Sequence, residues 1–301
     1  MIEDINNEVL TNWGIKAKEV ISKTSSIFEI DHQFILKRYN DIEKIKKNIK
    51  IIQTLISLGI PVPTVIHTKD KQFYFILDNY QYLLMKKLPG DRISEIHDKN
   101  VGFLMGKVIG DLHLAFLKFE NLMTFRENSL LSELEGWVKN NFEQDEWKLV
   151  KESEYLNIVD QIRIVNNDLL RQLIHRDVHL GNFLFLNGQL SGYIDFDLSQ
   201  KNIRIFDICY FLAGLLSDQN VNKITDEDWL LLVKETIKGY ETRILLTEKE
   251  KYILPFVMEG IELLCISYFL GISNSNFAFQ SLQTYNRIKK IEADILTVIK
   301  E

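Results

Sequence analysis

Cysteine is nearly absent: Cys209 and Cys265, both in apolar surroundings, are too few for a disulfide framework or a thiolate zinc site. Proline and glycine are scarce as well. Four prolines and fourteen glycines in 301 residues exclude a turn-dense all-β architecture and long structureless linkers, and they favour helix. Long apolar runs are missing too. The stretch Ile261–Ile272 is too short for a membrane span and contains polar residues. The N-terminal MIEDINNEVL has no cationic start followed by an apolar run, so no secretory leader is expected. These absences predict a cytoplasmic protein with no membrane partner. The length suits one large domain or two modest ones with a full hydrophobic core.

What is present is unevenly distributed. The net charge is -6, yet residues 16–71 carry 11 basic and 6 acidic side chains, so the remainder is strongly acidic. Such asymmetry fits two regions facing different ligands, as well as a chance spread of solvated charge. The segments KAKEVI, SSIFEI and QFILKRY read as strands, with Asp31-His32 as a hairpin turn. Ile42, Ile45, Ile49, Ile52 and Ile56 form a helical stripe over residues 41–58. Asn40 or Asp41 caps its start, and Gly59 and Pro61 end it. PVPTVIHT, QFYFILD and YQYLLMKKL read as further strands, and LPGD at 88–91 as a turn that marks a lobe boundary. Beyond it helices are expected over 101–116, 129–170, 206–217, 227–246, 250–270 and 283–299. They are interrupted by a strand-like core in which Asn187-Gly188 signals a hairpin.

The chemistry concentrates in HRDVHLGN, residues 175–182, and in Ile194-Asp195-Phe196-Asp197. Asp177 and Asn182 are five residues apart, and Asp195 follows thirteen residues later, beyond the hairpin. Asn182 and Asp195 offer hard oxygen donors suited to Mg²⁺, and the hairpin can return Asp195 to the neighbourhood of Asn182. Asp177 then remains to face a hydroxyl acceptor. Phosphoryl transfer needs this combination of positioned metal, positioned nucleophile and charge neutralisation.

HRDVHLGN…IDFD resembles the catalytic and metal-binding motifs of the protein-kinase-like superfamily. Within it the chain is most similar to the aminoglycoside phosphotransferase family, with its homoserine-kinase, choline-kinase and spore-coat-kinase-like relatives. His179 stands where protein kinases usually carry Lys and the small-molecule family commonly has His. Asp195 and Asp207 are only twelve residues apart with no A-P-E between them, which leaves no peptide platform and points to a small acceptor. The resemblance implies an α+β, bilobal fold: a nucleotide-binding lobe over residues 1–87, with a five-stranded sheet and one main helix, and a mostly helical catalytic lobe over 88–301. It implies Mg²⁺-dependent transfer of the γ-phosphoryl group of ATP or GTP to a small-molecule hydroxyl, with no nucleic-acid partner. Carried across, Asp177 is the catalytic base, Asn182 and Asp195 are the metal ligands, and His175 and Asp207 support the catalytic loop. Lys37 contacts the nucleotide phosphates. Met85 lines the base pocket, and the backbone of Lys86 and Leu88 hydrogen-bonds the base. The acidic balance beyond residue 71 suits a cationic acceptor such as an aminoglycoside, an amino sugar or an amino alcohol.

Two departures from the family pattern stand out. The helix glutamate that usually pairs with the lysine is missing. Glu43 falls on the outer face, and the inward position is Asn48, which can hydrogen-bond an ammonium but adds no charge. Either another group holds Lys37 or nucleotide binding is weaker. A glycine-rich phosphate loop is also missing, and Ser22-Lys23-Thr24-Ser25-Ser26 occupies its place. The other notable side chains read as structural. His113 is expected packed and hydrogen-bonded, and Trp13, Trp137, Trp147 and Trp229 are expected in packing roles. Asp197 either adds a supporting hydrogen bond or caps a turn. The alternatives are a pseudokinase of the same fold, a peptide-modifying protein kinase, and a metallohydrolase using His175, Asp177 and His179.

Overall fold

The computed structural model describes residues 8–93, 100–121, 124–217 and 224–300. The chain forms two compact units. One comprises Met1–Arg92 together with Gly181–Asp197; the other comprises Ile93–Leu180 and Leu198–Glu301.

The first unit is built on a five-stranded antiparallel sheet. Its strands are β1 (Val20–Ser22), β2 (Ile27–Ile30), β3 (Phe34–Tyr39), β4 (Phe75–Leu77) and β5 (Tyr80–Lys86), in the order β1-β2-β3-β5-β4. Asp31 and His32 turn the chain with positive φ, and the Asp31 carboxylate accepts from the backbone of Lys18 and Glu19 at 2.8 Å each. Strand alternation sorts the side chains. Phe28, Ile30, Leu36, Tyr82 and Leu84 pack with Val9, Leu10 and Trp13 on one face. Ile35 and Lys37, opposite Met85 and Leu83 in register, face the other way.

Helix α1 (Ile42–Ser57) is capped by Asp41, which accepts from the backbone of Glu43 and Lys44. Gly59, with φ of 74°, and Pro61 follow its end. Its buried residues are Ile45, Asn48, Ile49, Ile51, Ile52 and Leu55, while Ile42 and Ile56 at the two ends are exposed. PVPTVIHT does not become a strand of the sheet. Pro61 and Pro63 lack N–H donors, and the segment makes one isolated bridge, Val65 to Met85.

The hairpin β7 (Phe183–Leu186) and β8 (Gln189–Tyr193) belongs to this unit. Asn187 and Gly188 form its turn with φ of 52° and 75°. Asp91 and Phe185 exchange both backbone bonds at 3.0 and 2.8 Å, and the Tyr193 amide donates to the Pro61 carbonyl at 2.9 Å. The LPGD turn is thus tied to Phe185, 94 positions later. Gly90 has φ of 102°, and a Cβ there would lie 2.6 Å from the Phe185 carbonyl oxygen, so only glycine fits.

In the same unit Glu29 is almost fully buried yet holds two lysines and an imidazole: Lys87 at 2.7 Å, Lys23 at 3.1 Å and His32 at 2.8 Å. The Lys87 hydrogen bond, opposed by burial and reinforced by His32 and Lys23, brings its carboxyl down to about 2.

The second unit is mostly helical: α2 (Asn100–Leu117), α3 (Leu130–Glu133), a π turn (Leu134–Val138), α4 (Lys139–Gln144), α5 (Glu152–Val165), α6 (Ile205–Ser217), α7 (Asp226–Glu241), α8 (Glu248–Gly271), α9 (Ser275–Lys290) and α10 (Glu292–Lys300). The expected helix over 129–170 is therefore broken. The one expected over 283–299 is split at Ile291 and begins earlier. The short pair β6 (Arg171–Ile174) and β9 (Gln200–Ile203) is antiparallel, and QKNI carried no apolar alternation to announce the second strand. Helices α2 and α8 are long and apolar enough to cross a membrane by length and composition. However, 56% and 72% of those windows are buried inside the protein, the signature of core helices.

Helices α2 and α7 touch backbone to backbone. Gly102, Gly106 and Gly110 recur every four residues of α2 on one stripe. A Cβ on Gly106 would lie 2.0 Å from the Thr236 carbonyl oxygen, and one on Gly239 of α7 would lie 2.0 Å from that of Phe103. Gly214 of α6 faces open space instead.

Gly106→Ala and Gly239→Ala should each destabilise the protein by about 1 to 3 kcal/mol through overpacking. Gly214→Ala should be neutral or stabilise by up to about 1 kcal/mol; thermal or urea unfolding distinguishes these outcomes. Glu29→Gln should cost on the order of 1 to 2 kcal/mol at pH 7, because its cationic partners are partly solvated. Since the folded carboxyl titrates below the unfolded one, that stability is complete above about pH 4.5 and is lost as pH falls toward 2. The gap between wild type and Glu29→Gln should therefore close over that window, and a constant gap would disprove the assignment.

Candidate active site

In the first unit a cavity of about 620 Å³ is enclosed by side chains of the β1–β2 turn, the sheet face bearing Ile35 and Lys37, helix α1 and the β7–β8 hairpin. Lys23 and Thr24 from the serine-rich turn reach it, as do Met85, Lys86, Leu88, Asn48 and Asp195. It is predominantly apolar with a few placed charges, the usual character of a small-molecule site. The Lys86 amide already donates to the Thr64 carbonyl at 2.8 Å, so of the Lys86 backbone only the carbonyl remains to meet a ligand.

Lys37 lies in the middle of β3 and is 9% exposed. Its Nζ is 2.8 Å from Asp195 Oδ1 and 3.7 Å from Asp197 Oδ2. Asp195 follows β8 with a left-handed backbone, φ of 66°, a conformation that Asp tolerates better than most residues. The Ile194 amide donates to the Asn182 carbonyl at 3.0 Å, closing the base of the hairpin and bringing Asn182 beside the strand that delivers Asp195.

Glu43 is exposed and pairs with Lys46 at 2.9 Å, as the helical wheel predicts. Asn48 points inward and is 2% exposed, but its bonds go elsewhere than to Lys37. The Asn48 amide nitrogen donates to the Tyr39 hydroxyl and to Asp197 Oδ1. The Tyr39 hydroxyl also donates to Asp197 Oδ1, at 3.1 Å. Burial, then the neighbouring Asp197 charge, raise the Tyr39 pKa well above its usual range, so it stays a donor.

The second unit holds the other half of the sequence constellation. Asp207, at the start of α6, is completely buried. Its oxygens accept from the backbone amides of His175 and Arg176 at 2.8 Å each, and from His113 Nε2 at 3.0 Å. A carboxylate only accepts, so Nε2 carries the proton. His113 Nδ1 meets the Tyr240 hydroxyl of α7 at 2.9 Å. Arg176 has φ of 69° and anchors its guanidinium on Glu133 at 2.6 Å and on Gln200 at 3.0 Å. The His175 ring is fully buried, and its Nδ1 accepts from the Asp177 amide at 3.3 Å.

Asp177 is thereby presented on a braced loop. Its Oδ1 accepts from the Tyr210 hydroxyl at 3.2 Å, and His179 Nε2 lies 3.6 Å from Oδ2. Burial, then the Asp177 charge, push the Tyr210 hydroxyl pKa upward, so it too remains a donor. With His175 turned into the protein, His175, Asp177 and His179 do not present three ligands on one face. Among the described residues no group of three or more His, Cys, Asp or Glu could hold a metal; His97 lies outside them.

The sequence-predicted residues thus fall in two clusters. Lys37, Met85, Lys86, Leu88 and Asp195 share one cavity, with Asn182 joined to the same hairpin; His175, Asp177 and Asp207 share one hydrogen-bonded loop. His113 is the packed histidine expected, and Trp13 and Trp229 are buried with their indole N–H groups on backbone carbonyls. Sequence reasoning missed Tyr210, Tyr39 and the Arg176–Glu133 pair. Tyr210 carried a signal, since it lies one helical turn after Asp207. Tyr39 and Glu133 carried none, because their partners are distant in sequence.

Comparison with known proteins agrees with this fold. Residues 19–249 match the model of the APH family, described as the phosphotransferase enzyme family. Homoserine kinase of Zymomonas mobilis subsp. mobilis is 28% identical over 223 residues, 69% of this chain and 64% of that one, so the chain spans just under two thirds of that relative's length. Among solved structures, amicoumacin kinase hAmiN in complex with AMP-PNP, Ca²⁺ and Ami superposes with a TM-score of 0.73 at 15% identity, covering 96% of this chain and 93% of that one. A microcompartment-associated aminopropanol kinase gives 0.69 at 16% identity, covering 97% and 98%. These structures share the kinase-like fold, an antiparallel sheet followed by a mostly helical part. On the strength of the family match, which covers most of its length, the chain belongs to the APH phosphotransferase family.

Proposed function

We propose that this protein transfers the γ-phosphoryl group of ATP or GTP to a hydroxyl of a small molecule that also carries an amine. The observation that carries the reading is the Lys37–Asp195 pair, 2.8 Å long across 158 residues of sequence, in the wall of an apolar cavity. A cation and a carboxylate held there are what a triphosphate and its metal require. The nucleotide complexes among the structural neighbours support the same co-substrate.

Each residue then takes the role that the family resemblance implies. Met85 and the backbone of Lys86 and Leu88 receive the base, and Lys37 neutralises phosphate oxygens. Asn182 and Asp195 fit a magnesium ion. Both offer hard oxygens, and the Ile194–Asn182 backbone bond closes their segments into one hairpin. That suits an ion that completes its coordination with phosphates and water. When bound, Mg²⁺ supplies charge neutralisation at the transferred group. Asp177 orients the acceptor hydroxyl and takes its proton. The acceptor oxygen forms the new bond to the γ-phosphorus as the bond to the β,γ-bridging oxygen breaks, and the nucleoside diphosphate leaves. His175 and Asp207 keep the loop in place.

The amine preference rests on chemistry shared by the relatives. Homoserine and aminopropanol, named in a curated relative and in a structural neighbour, both combine an amine with a hydroxyl. The acidic balance of the chain beyond residue 71 favours a cationic acceptor.

Asp177→Ala should lower turnover by at least about a hundredfold while Mg-ATP affinity stays within a few-fold of wild type. Asp195→Ala should weaken Mg-nucleotide binding itself in calorimetry. Screening Mg-ATP and Mg-GTP with homoserine, aminopropanol, choline and aminoglycosides should yield phosphorylation of at least one amine-bearing acceptor. Full activity in Asp177→Ala, or turnover confined to acceptors without an amine, would refute the corresponding part of the reading.

A further inference from the structure

The helix that usually supplies a carboxylate to the strand lysine supplies none here, since Glu43 is its sole acidic residue and lies in solvent. The structure nevertheless gives Lys37 a second carboxylate besides Asp195. We infer that Asp197 is the positioning carboxylate of Lys37 and that Asn48 serves to hold Asp197. This rests on the reading of the protein as a nucleotide-using phosphotransferase, and it identifies how this chain compensates for the helix residue it lacks.

The geometry divides the work between the two oxygens of Asp197. Oδ1 accepts from the Asn48 amide and from the Tyr39 hydroxyl, both buried. Oδ2 faces the cations, 3.7 Å from Lys37 Nζ and 3.7 Å from Lys44 Nζ. The Asp197 carbonyl accepts from Lys47 Nζ at 3.1 Å, which fixes the backbone that carries the carboxylate. Lys44, Lys47 and Asn48 all come from α1. The helix thus controls Lys37 through Asp197, by cations and an amide where a direct pair would use a glutamate.

The Asn48 side chain fits this role and not that of a direct lysine partner. A carboxylate cannot donate, so the atom facing Asp197 must be the amide nitrogen, and that nitrogen cannot accept from an ammonium. Its Oδ1 has no hydrogen-bond partner although the residue is 2% exposed. A glutamate at position 48 would set two carboxylates against each other, and the asparagine removes that repulsion. Asp195 is then left to the metal while Asp197 keeps a negative charge beside Lys37.

The test relocates the charge. Mg-ATP affinity is measured by calorimetry for wild type, Asp197→Asn, Asn48→Glu and the double variant Asn48→Glu/Asp197→Asn, with thermal unfolding of each. Asp197→Asn should bind Mg-ATP on the order of tenfold or more weaker, the loss of one charge-assisted contact. Asn48→Glu should also be impaired, through repulsion with Asp197. The double variant, which moves the carboxylate to the helix, should recover most of the affinity. A role confined to packing would instead give additive losses of stability and no recovery. Equal affinity of wild type and Asp197→Asn, or a double variant no better than either single one, overturns the inference while leaving the phosphotransferase reading intact. Failure of wild type to bind Mg-ATP or Mg-GTP overturns both.

Discussion

The loop that carries Asp177 hangs on one buried carboxylate. Asp207 is fully enclosed and accepts two consecutive backbone amides and an imidazole. Removed from water, each of those amides would be costly without an acceptor, so the carboxylate dictates the path of the chain through His175 and Arg176. The left-handed backbone of Arg176 is tolerable because its neighbours over-determine it, through Asp207 on the main chain and Glu133 and Gln200 on the guanidinium. Asp177, the next residue, inherits a fixed position from a framework that involves none of its own oxygens.

That carboxylate depends in turn on how closely two helices approach. His113 reaches Asp207 from α2 and Tyr240 reaches His113 from α7. Their register is set where Gly106 and Gly239 let one helix touch the carbonyls of the other. A chain with few glycines therefore concentrates several of them on one helix stripe, where no larger side chain would fit. Meanwhile its serine-rich β1–β2 turn borders the cavity without any glycine, using Lys23 and Thr24.

The basic early region also gains a specific meaning. Part of its charge is paired inside the first unit: Lys23 with buried Glu29, and Lys37 and Lys44 with Asp195 and Asp197. The excess of cations over acids in residues 16–71 is balanced in part by carboxylates that arrive with the β7–β8 hairpin, far along the chain. Charge counts by segment show the imbalance but not this neutralisation, because it is made between residues 150 or more positions apart.

Local chemistry made much of the protein legible from its sequence. The Asn187-Gly188 hairpin, the Asp41 cap, the exposed Glu43 and the inward Asn48 all follow from spacing, periodicity and turn preference, which act over a few residues. Other features were decided only in three dimensions. The prolines of PVPTVIHT reduced an expected strand to a single bridge, and β9 formed from a polar segment because β6 offered it a partner. Asn48 turned to Asp197 and not to the lysine, since hydrogen-bond choice depends on which atoms folding brings within 3 Å. The sequence determined which groups could carry charge and protons. Tertiary structure decided which carboxylate each cation meets, because electrostatic pairing depends on distance and burial, and sequence order sets neither.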